Sequence, residues 1–83
     1  MKVLYFAWLR ERLDRDGDEI DVPDDVSTVA ELMDFLAERD EGFALATQKR
    51  QSIRAAVDEE LVEHSASIRG ARIVALFPPM TGG

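Results

Sequence analysis

The stretch that follows Thr28 carries the clearest structural signal in this chain of 83 residues. Thr28 and Glu31 match a capping box, in which each side chain accepts a hydrogen bond from the other residue's backbone N–H. Apolar residues then recur at helical spacing, at Val29, Leu32, Met33 and Leu36. The pattern predicts an amphipathic helix that runs to Arg39, with Gly42 available as a stop. The apolar side of this helix has to pack against another part of the domain, so the remaining residues are expected to form that surface.

The rest of the chain consists of short apolar runs rich in β-branched and aromatic residues, separated by turn residues. These runs predict strands at residues 2–7, 19–22, 53–57, 61–62 and 72–77. Leu9 and Leu13, four residues apart, predict a short helix after the first strand, and the turn residues at 16–18 break it. The stretch FALATQKRQS at residues 43–52 is ambiguous, and Phe43 and Leu45 are predicted to pin a connecting segment to the core. This order predicts an α+β domain, in which one long helix packs on one face of a mixed sheet.

Composition excludes several classes of site and partner. The chain has no cysteine, which excludes disulfides, cysteine-ligated zinc and a thiol nucleophile. Its formal net charge of −7 repels phosphate backbones, so we expect no nucleic-acid partner. The single histidine, His64, and the three acids at residues 58–60 are interpreted as solvated turns, and no metal site is expected. No apolar run approaches the roughly 20 residues of a membrane span, and Arg10 interrupts the apolar start before any cleavage site. We therefore expect a cytoplasmic protein without a membrane partner.

The chain ends on an unusual segment, FPPMTGG, at residues 77–83. The last predicted strand meets two prolines, and Gly82 and Gly83 have no side chain with which to pack. Such an end either frays beyond a finished domain or has a function that depends on the terminal carboxylate of Gly83. No Gly-rich phosphate loop, nucleophile elbow or other catalytic set of side chains occurs elsewhere in the sequence.

Length, order of elements and the terminal Gly-Gly resemble a ubiquitin-like β-grasp domain. More narrowly, VLYFAWLRE at residues 3–11 and FPPMTGG at residues 77–83 resemble the small subunits of molybdopterin synthase, a family of sulfur-carrier proteins. The resemblance covers essentially the whole chain. It implies a β-grasp domain over residues 1–77 and a flexible, extended C-terminal tail over residues 78–83.

The resemblance also implies a chemical role for the tail. In the family, an ATP-dependent adenylyltransferase of the ubiquitin-activating type adenylates the residue that corresponds to Gly83, and a sulfur donor converts this transient acyl-adenylate to a thiocarboxylate. The sulfur then passes, in the active site of a large subunit, to cyclic pyranopterin monophosphate and forms the dithiolene of molybdopterin, a step of molybdenum cofactor biosynthesis. The resemblance further implies a heterotetramer of two small and two large subunits. It implies that the activating enzyme uses ATP and that this chain binds no cofactor stably. This chain is then expected to be a carrier and co-substrate without catalytic side chains of its own.

The tail residues fit this implied role. The segment expected to insert into the large subunit consists of Pro78, Pro79, Met80, Thr81 and Gly82, ahead of Gly83. The two prolines favour an extended polyproline geometry and lack amide donors, so they resist joining the sheet. Six extended residues reach roughly 20 Å at about 3.3 Å each, which is enough to enter a buried site. The two glycines allow the wall of a narrow channel to contact their backbone closely.

An apolar patch is expected where the tail leaves the sheet. Period-2 alternation places Phe6 and Phe77 on the outward faces of the first and last strands, away from the helix. A long helix covers only one face of a sheet, so Phe6, Leu61 and Phe77 are predicted to form an exposed apolar patch on the other. Such a patch marks an interface, and the resemblance implies that the large subunit covers it.

Three alternatives remain open at this point. A ubiquitin-like modifier would join Gly83 to a target lysine through an isopeptide bond, which uses the same activated carboxylate. A sulfur carrier of another pathway, such as thiamine synthesis, would share both fold and chemistry. A plain β-grasp interaction module would share the fold and leave its tail unused.

Overall fold

The computed structural model describes residues 1–79 of the chain. Its strands are β1 (Lys2–Tyr5), β2 (Gly17–Glu19), β3 (Arg54–Val57), β4 (Glu60–Val62) and β5 (Ile73–Phe77). Its helices are α1 (Ala7–Leu13), α2 (Val29–Arg39) and α3 (Glu41–Ala46), and a 3₁₀ turn spans Arg50–Ser52. Four residues of the predicted tail, Met80, Thr81, Gly82 and Gly83, lie outside the described residues.

Within residues 1–79 the strands form one five-stranded mixed sheet in the order β2-β1-β5-β3-β4. The two central strands, β1 and β5, are parallel, and the other neighbouring pairs are antiparallel. A parallel pair needs a crossover connection, which here includes the three helices and the other strands. The α+β class with a mixed sheet, predicted from the order of elements, is confirmed.

The helices cover one face of this sheet and bury its apolar side chains. The inward residues of the two central strands are at most 1% exposed and are Val3, Tyr5, Val74 and Leu76. They belong to one core cluster with apolar residues of the helices, among them Leu9, Leu32, Met33, Leu36 and Phe43. The alternation predicted for β5 is therefore correct, and the sheet has one face that the helices leave uncovered.

The capping box predicted at the start of α2 is present. Thr28 Oγ1 accepts a hydrogen bond from the backbone N–H of Glu31 at 3.1 Å, and Glu31 Oε1 accepts one from the N–H of Thr28 at 3.2 Å. The Glu31 carboxylate also accepts hydrogen bonds from the backbone and hydroxyl of Ser27, which hold its pKa below the ordinary range. The helix reaches Arg39, as its apolar spacing predicted.

Replacing Thr28 with alanine is expected to lower the free energy of unfolding by about 1 kcal/mol, because the N–H of Glu31 loses its intramolecular acceptor. The matched control is Thr28→Ser, which keeps the hydroxyl and should retain most of the stability. Urea denaturation of the three proteins measures the difference. An equal loss in Thr28→Ser would show that the methyl group, rather than the cap, carries the effect.

The prediction that Gly42 stops the long helix is wrong, and the segment that was ambiguous in sequence contains a helix. Of the two residues predicted to pin this segment to the core, Phe43 is buried, whereas Leu45 is 60% exposed. Helix α2 ends where Asp40 takes an extended backbone, and the Asp40 carboxylate then accepts the N–H of Phe43 at 3.2 Å and caps α3. Gly42 lies inside α3, and Phe43 is completely buried. Six residues are too few to show a helical period, so apolar spacing did not reveal α3. The covered face is therefore shared by several helices rather than packed by one long helix alone.

The first two strands also differ from their predicted bounds. Strand β1 ends at Tyr5, and Ala7 begins α1 with a left-handed backbone, at a φ of 55°. Strand β2 begins at Gly17, two residues earlier than predicted, so a glycine expected to break the chain lies inside a strand. A Cβ on Gly17 would lie 2.7 Å from the carbonyl oxygen of Val3, which explains why the close approach of β1 requires glycine.

Candidate functional site

The predicted tail leaves the sheet at one end of the two central strands. Because β1 and β5 are parallel, their last residues lie at the same end, where the N–H of Phe6 donates to the carbonyl oxygen of Leu76 at 3.2 Å. Strand β5 stops at Phe77, and the buried Pro78 and half-buried Pro79 do not continue it. Phe6 therefore lies beside Phe77, which is the last strand residue before the tail.

The sheet face turned away from the helices is apolar across its width. We call it the open face, and its apolar residues are Leu4, Phe6, Ala56, Leu61, Ile73, Ala75 and Phe77. One row of paired residues crosses the five described strands, in the order Gly17, Leu4, Ala75, Ala56 and Leu61. Phe6 is 45% exposed and Leu61 is 63% exposed. An apolar surface of this extent points to an interaction site.

The three residues predicted for the apolar patch all lie on the open face, but they do not form one cluster. Phe6 and Phe77 are neighbours at the end where the tail begins. Leu61 lies on the edge strand β4, two strands away from β5, and Ala56 and Ala75 fill the space between. Sequence reasoning did not include these two alanines, because only the register of β3 and β5 brings them into line.

A cleft of about 370 Å³ extends the open face from β1 towards β2. Leu4 and Phe6 contribute its apolar lining, and Arg10 and Glu19 are among the charged residues around it. Gly17, which lines the cleft, leaves room because it has no side chain. Five of its nine lining residues are charged, so a protein bound at this end of the open face would meet both apolar and charged groups.

An ionic network joins β1 and β2 to α3 on the covered side of the sheet. Arg15 Nε donates to Asp18 at 2.9 Å, and Arg15 Nη2 donates to Asp40. The Tyr5 hydroxyl donates to Asp18 at 2.8 Å, and burial, together with this carboxylate, raises the pKa of Tyr5. Each of these groups has a partner, so the network holds the strands to the helix and offers no free reactive group. Sequence reasoning missed it because the alternating charges of residues 14–18 carry no recognisable spacing.

Acidification is expected to weaken this network. The hydrogen bond from Arg15, followed by the N–H of Phe43, holds the pKa of Asp40 below its usual range in the folded chain. The unfolded chain therefore binds more protons in mild acid, so the stabilisation is full above the unfolded pKa of about 4 and is lost as pH falls through the lower folded pKa. Arg15→Gln should be about 1–2 kcal/mol less stable at neutral pH and should depend less on pH below about 5.

Urea denaturation from neutral pH to about pH 3 measures this difference. Lys49→Gln, which removes one positive charge from an exposed residue outside the network, is the matched control and should keep the wild-type pH dependence. Equal slopes for Arg15→Gln and Lys49→Gln would contradict the assignment.

Neither His64 nor the acidic turn belongs to a group of residues that could hold a metal ion within the described part of the chain. The ring Nε2 of His64 lies 2.7 Å from the carbonyl oxygen of Ile53. Asp58 Oδ1 accepts the backbone N–H groups of Arg72 and Ile73 at 2.9 and 3.0 Å, which fastens the turn between β3 and β4 to β5. The interpretation of this turn as merely solvated was therefore incomplete. Residues 1–79 also contain no helix with the length and apolarity that crossing a bilayer requires.

Comparisons with known proteins agree with this architecture. A model of the ThiS family matches residues 3–83. The chain is 36% identical over 83 residues to the molybdopterin synthase sulfur carrier subunit of Escherichia coli and 31% identical to that of Haemophilus influenzae. Each alignment covers 100% of this chain and 99% of the relative. The crystal structure of SAMP1 from Haloferax volcanii is similar with a TM-score of 0.72 at 25% identity, over 99% of this chain and 97% of that one. The predicted ubiquitin-like β-grasp architecture is confirmed.

Proposed function

This chain belongs to the ThiS family, and on that premise we propose that it is the sulfur-carrier subunit of a molybdopterin synthase. Two relatives that align over the full chain carry that name. The observation that supports the proposal most directly is the apolar open face, which extends to the start of a tail that ends in Gly82 and Gly83. A carrier needs both parts side by side, because it docks through one surface while its end reacts inside another protein.

The chemistry proposed for Gly83 follows from the low reactivity of a carboxylate. Attack of the carboxylate on the α-phosphorus of ATP releases pyrophosphate and forms an acyl-adenylate, in which AMP is a good leaving group. A donor that supplies sulfur at the oxidation level of sulfide then attacks the acyl carbon: a C–S bond forms, the C–O bond to AMP breaks, and a thiocarboxylate is left at the terminus. Sulfur acts as a nucleophile in its ionised form, and a thiocarboxylate is ionised near neutral pH. The adenylyltransferase uses the ATP, and the pterin pocket belongs to the large subunit.

Docking and sulfur transfer use different parts of the chain in this proposal. The large subunit covers the open face around Phe6 and Phe77, and the tail that begins at Pro78 enters its active site. A tail of six extended residues reaches roughly 20 Å, so the domain can stay outside the pocket that its terminus enters. We extend the proposal to a heterotetramer of two carriers and two large subunits, in which each carrier serves one active site.

Intact mass spectrometry of the chain co-expressed with its activating adenylyltransferase tests the proposal. A sulfur carrier acquires a species in which one terminal oxygen is replaced by sulfur. Incubation with the large subunit and cyclic pyranopterin monophosphate then returns this species to the carboxylate while molybdopterin forms. The matched control is the chain without Gly82 and Gly83, which should remain unmodified.

Other outcomes of this experiment correspond to the remaining alternatives. Adducts on other proteins would indicate a ubiquitin-like modifier. A thiocarboxylate that never reacts with the pterin substrate would indicate a carrier for another pathway, such as thiamine synthesis. If neither a thiocarboxylate nor an adduct is detected, the chain is an interaction module and the sulfur-carrier function is wrong.

A further inference from the structure

Arg54 places a charged side chain on the open face beside the start of the tail. It is the first residue of β3 and is paired with Phe77 in the register of β3 and β5, so the two side chains stand next to each other on the same face. Its sequence neighbours Ile53 and Ala55 are buried, whereas Arg54 is exposed. A guanidinium therefore lies next to the aromatic residues at the root of the tail.

Arg54 has no partner of opposite charge within the described part of the chain. The ion pairs among residues 1–79 use the amino terminus, Arg15 and Arg50 as their cations. Lys2, another cation on the open face, stands directly across from Glu19 in the register of β1 and β2. On the side of β5 the residue across from Arg54 is a phenylalanine, which offers no hydrogen-bond acceptor. On the side of β4 the next carboxylate along the chain is that of Glu63, and it forms no ion pair with Arg54.

Covering the open face changes the surroundings of this guanidinium. A protein that buries Phe6 and Phe77 also removes water from Arg54, because Arg54 stands beside Phe77. Removing an unpaired charge from water is strongly unfavourable. A carboxylate that accepts two parallel hydrogen bonds from the guanidinium offsets this loss and adds geometric specificity.

We propose that Arg54 is a specificity-determining residue of the docking surface, and that the protein which covers the open face presents an aspartate or glutamate to it. This inference rests on the proposed function, since it takes that protein to be the large subunit of molybdopterin synthase. A large subunit with an apolar or basic residue in that place would leave Arg54 unpaired or repelled. It would be rejected even if its apolar surface fitted the open face equally well.

Isothermal titration calorimetry of the full chain with the purified large subunit, at low and at physiological ionic strength, tests the inference. Arg54→Gln is expected to weaken binding by about tenfold or more, and Arg54→Glu by about a hundredfold or more, with the larger loss at low salt. Lys49→Glu makes the same change in net charge at an exposed residue outside the sheet and should stay within about threefold of the wild type. Circular dichroism shows that each variant is folded before it is titrated.

Charge reversal on the large subunit identifies the carboxylate. Each acidic residue around its tail entrance is changed to lysine in turn, and one of these variants should strengthen the binding of Arg54→Glu by about tenfold or more. If Arg54→Glu binds as tightly as Lys49→Glu, or if no lysine variant restores binding, the inference is overturned while the proposed function stands. If the wild-type chain does not bind the large subunit, both are overturned.

Discussion

Deletion of Gly83 is expected to abolish molybdopterin formation while the chain stays folded and keeps its complex with the large subunit. The new terminus on Gly82 carries the same carboxylate but ends roughly 3.3 Å earlier along an extended chain. Reacting atoms have to approach within about 3–3.5 Å, and an error of about 1 Å can cost a hundredfold in rate. Adding one alanine after Gly83 should fail for the same reason, because it displaces the carboxylate in the other direction. We expect at least a hundredfold less product from both length variants.

Complex formation, thiocarboxylate content and product should be measured in parallel, because they separate docking, activation and sulfur transfer. Gly82→Ala is the matched control: it keeps the length of the tail, adds one methyl group and should retain more activity than either length variant. A length variant that carries the thiocarboxylate and binds without forming product places the failure at transfer. Full activity from the deletion and the extension alike would contradict the role of the terminus as the sulfur carrier.

The second large effect is expected from Phe77→Arg, which should weaken binding to the large subunit at least about 30-fold. Phe77 lies next to Phe6 on the open face, so the new guanidinium stands inside the proposed docking surface. It also stands directly across from Arg54, and like charges in that position repel each other. The fold should survive with a loss of about 1 kcal/mol, because Val74 and Leu76 fill the core from this strand.

Leu45→Arg is the matched control for this substitution. Leu45 is 60% exposed on α3, away from the sheet, so the same change of side chain should leave binding at the wild-type level. Calorimetry with the large subunit and circular dichroism of both variants provide the comparison. An unfolded Phe77→Arg would assign Phe77 to the core, and wild-type affinity would show that docking does not use the root of the tail.

Features with a local signal were predictable from the amino-acid sequence. The cap and apolar spacing located α2, because a capping box joins residues three positions apart and a helical stripe repeats every turn. Alternation assigned Val74 and Leu76 to the core, because successive side chains of a strand point to opposite faces. The motifs at residues 3–11 and 77–83 were together enough to identify the family, which the comparisons confirm.

The arrangement of the candidate site depends instead on contacts between segments that are distant in sequence. The parallel pairing of β1 with β5 brings Phe6 beside Phe77, and the register of β3 places Arg54 next to them. Gly17 was predicted to end an element, yet the carbonyl of Val3 makes glycine necessary inside a strand. A period of two tells which face a residue takes but not which residue stands across from it. Strand order and register follow from packing the whole sheet against its helices, and no single segment contains that information.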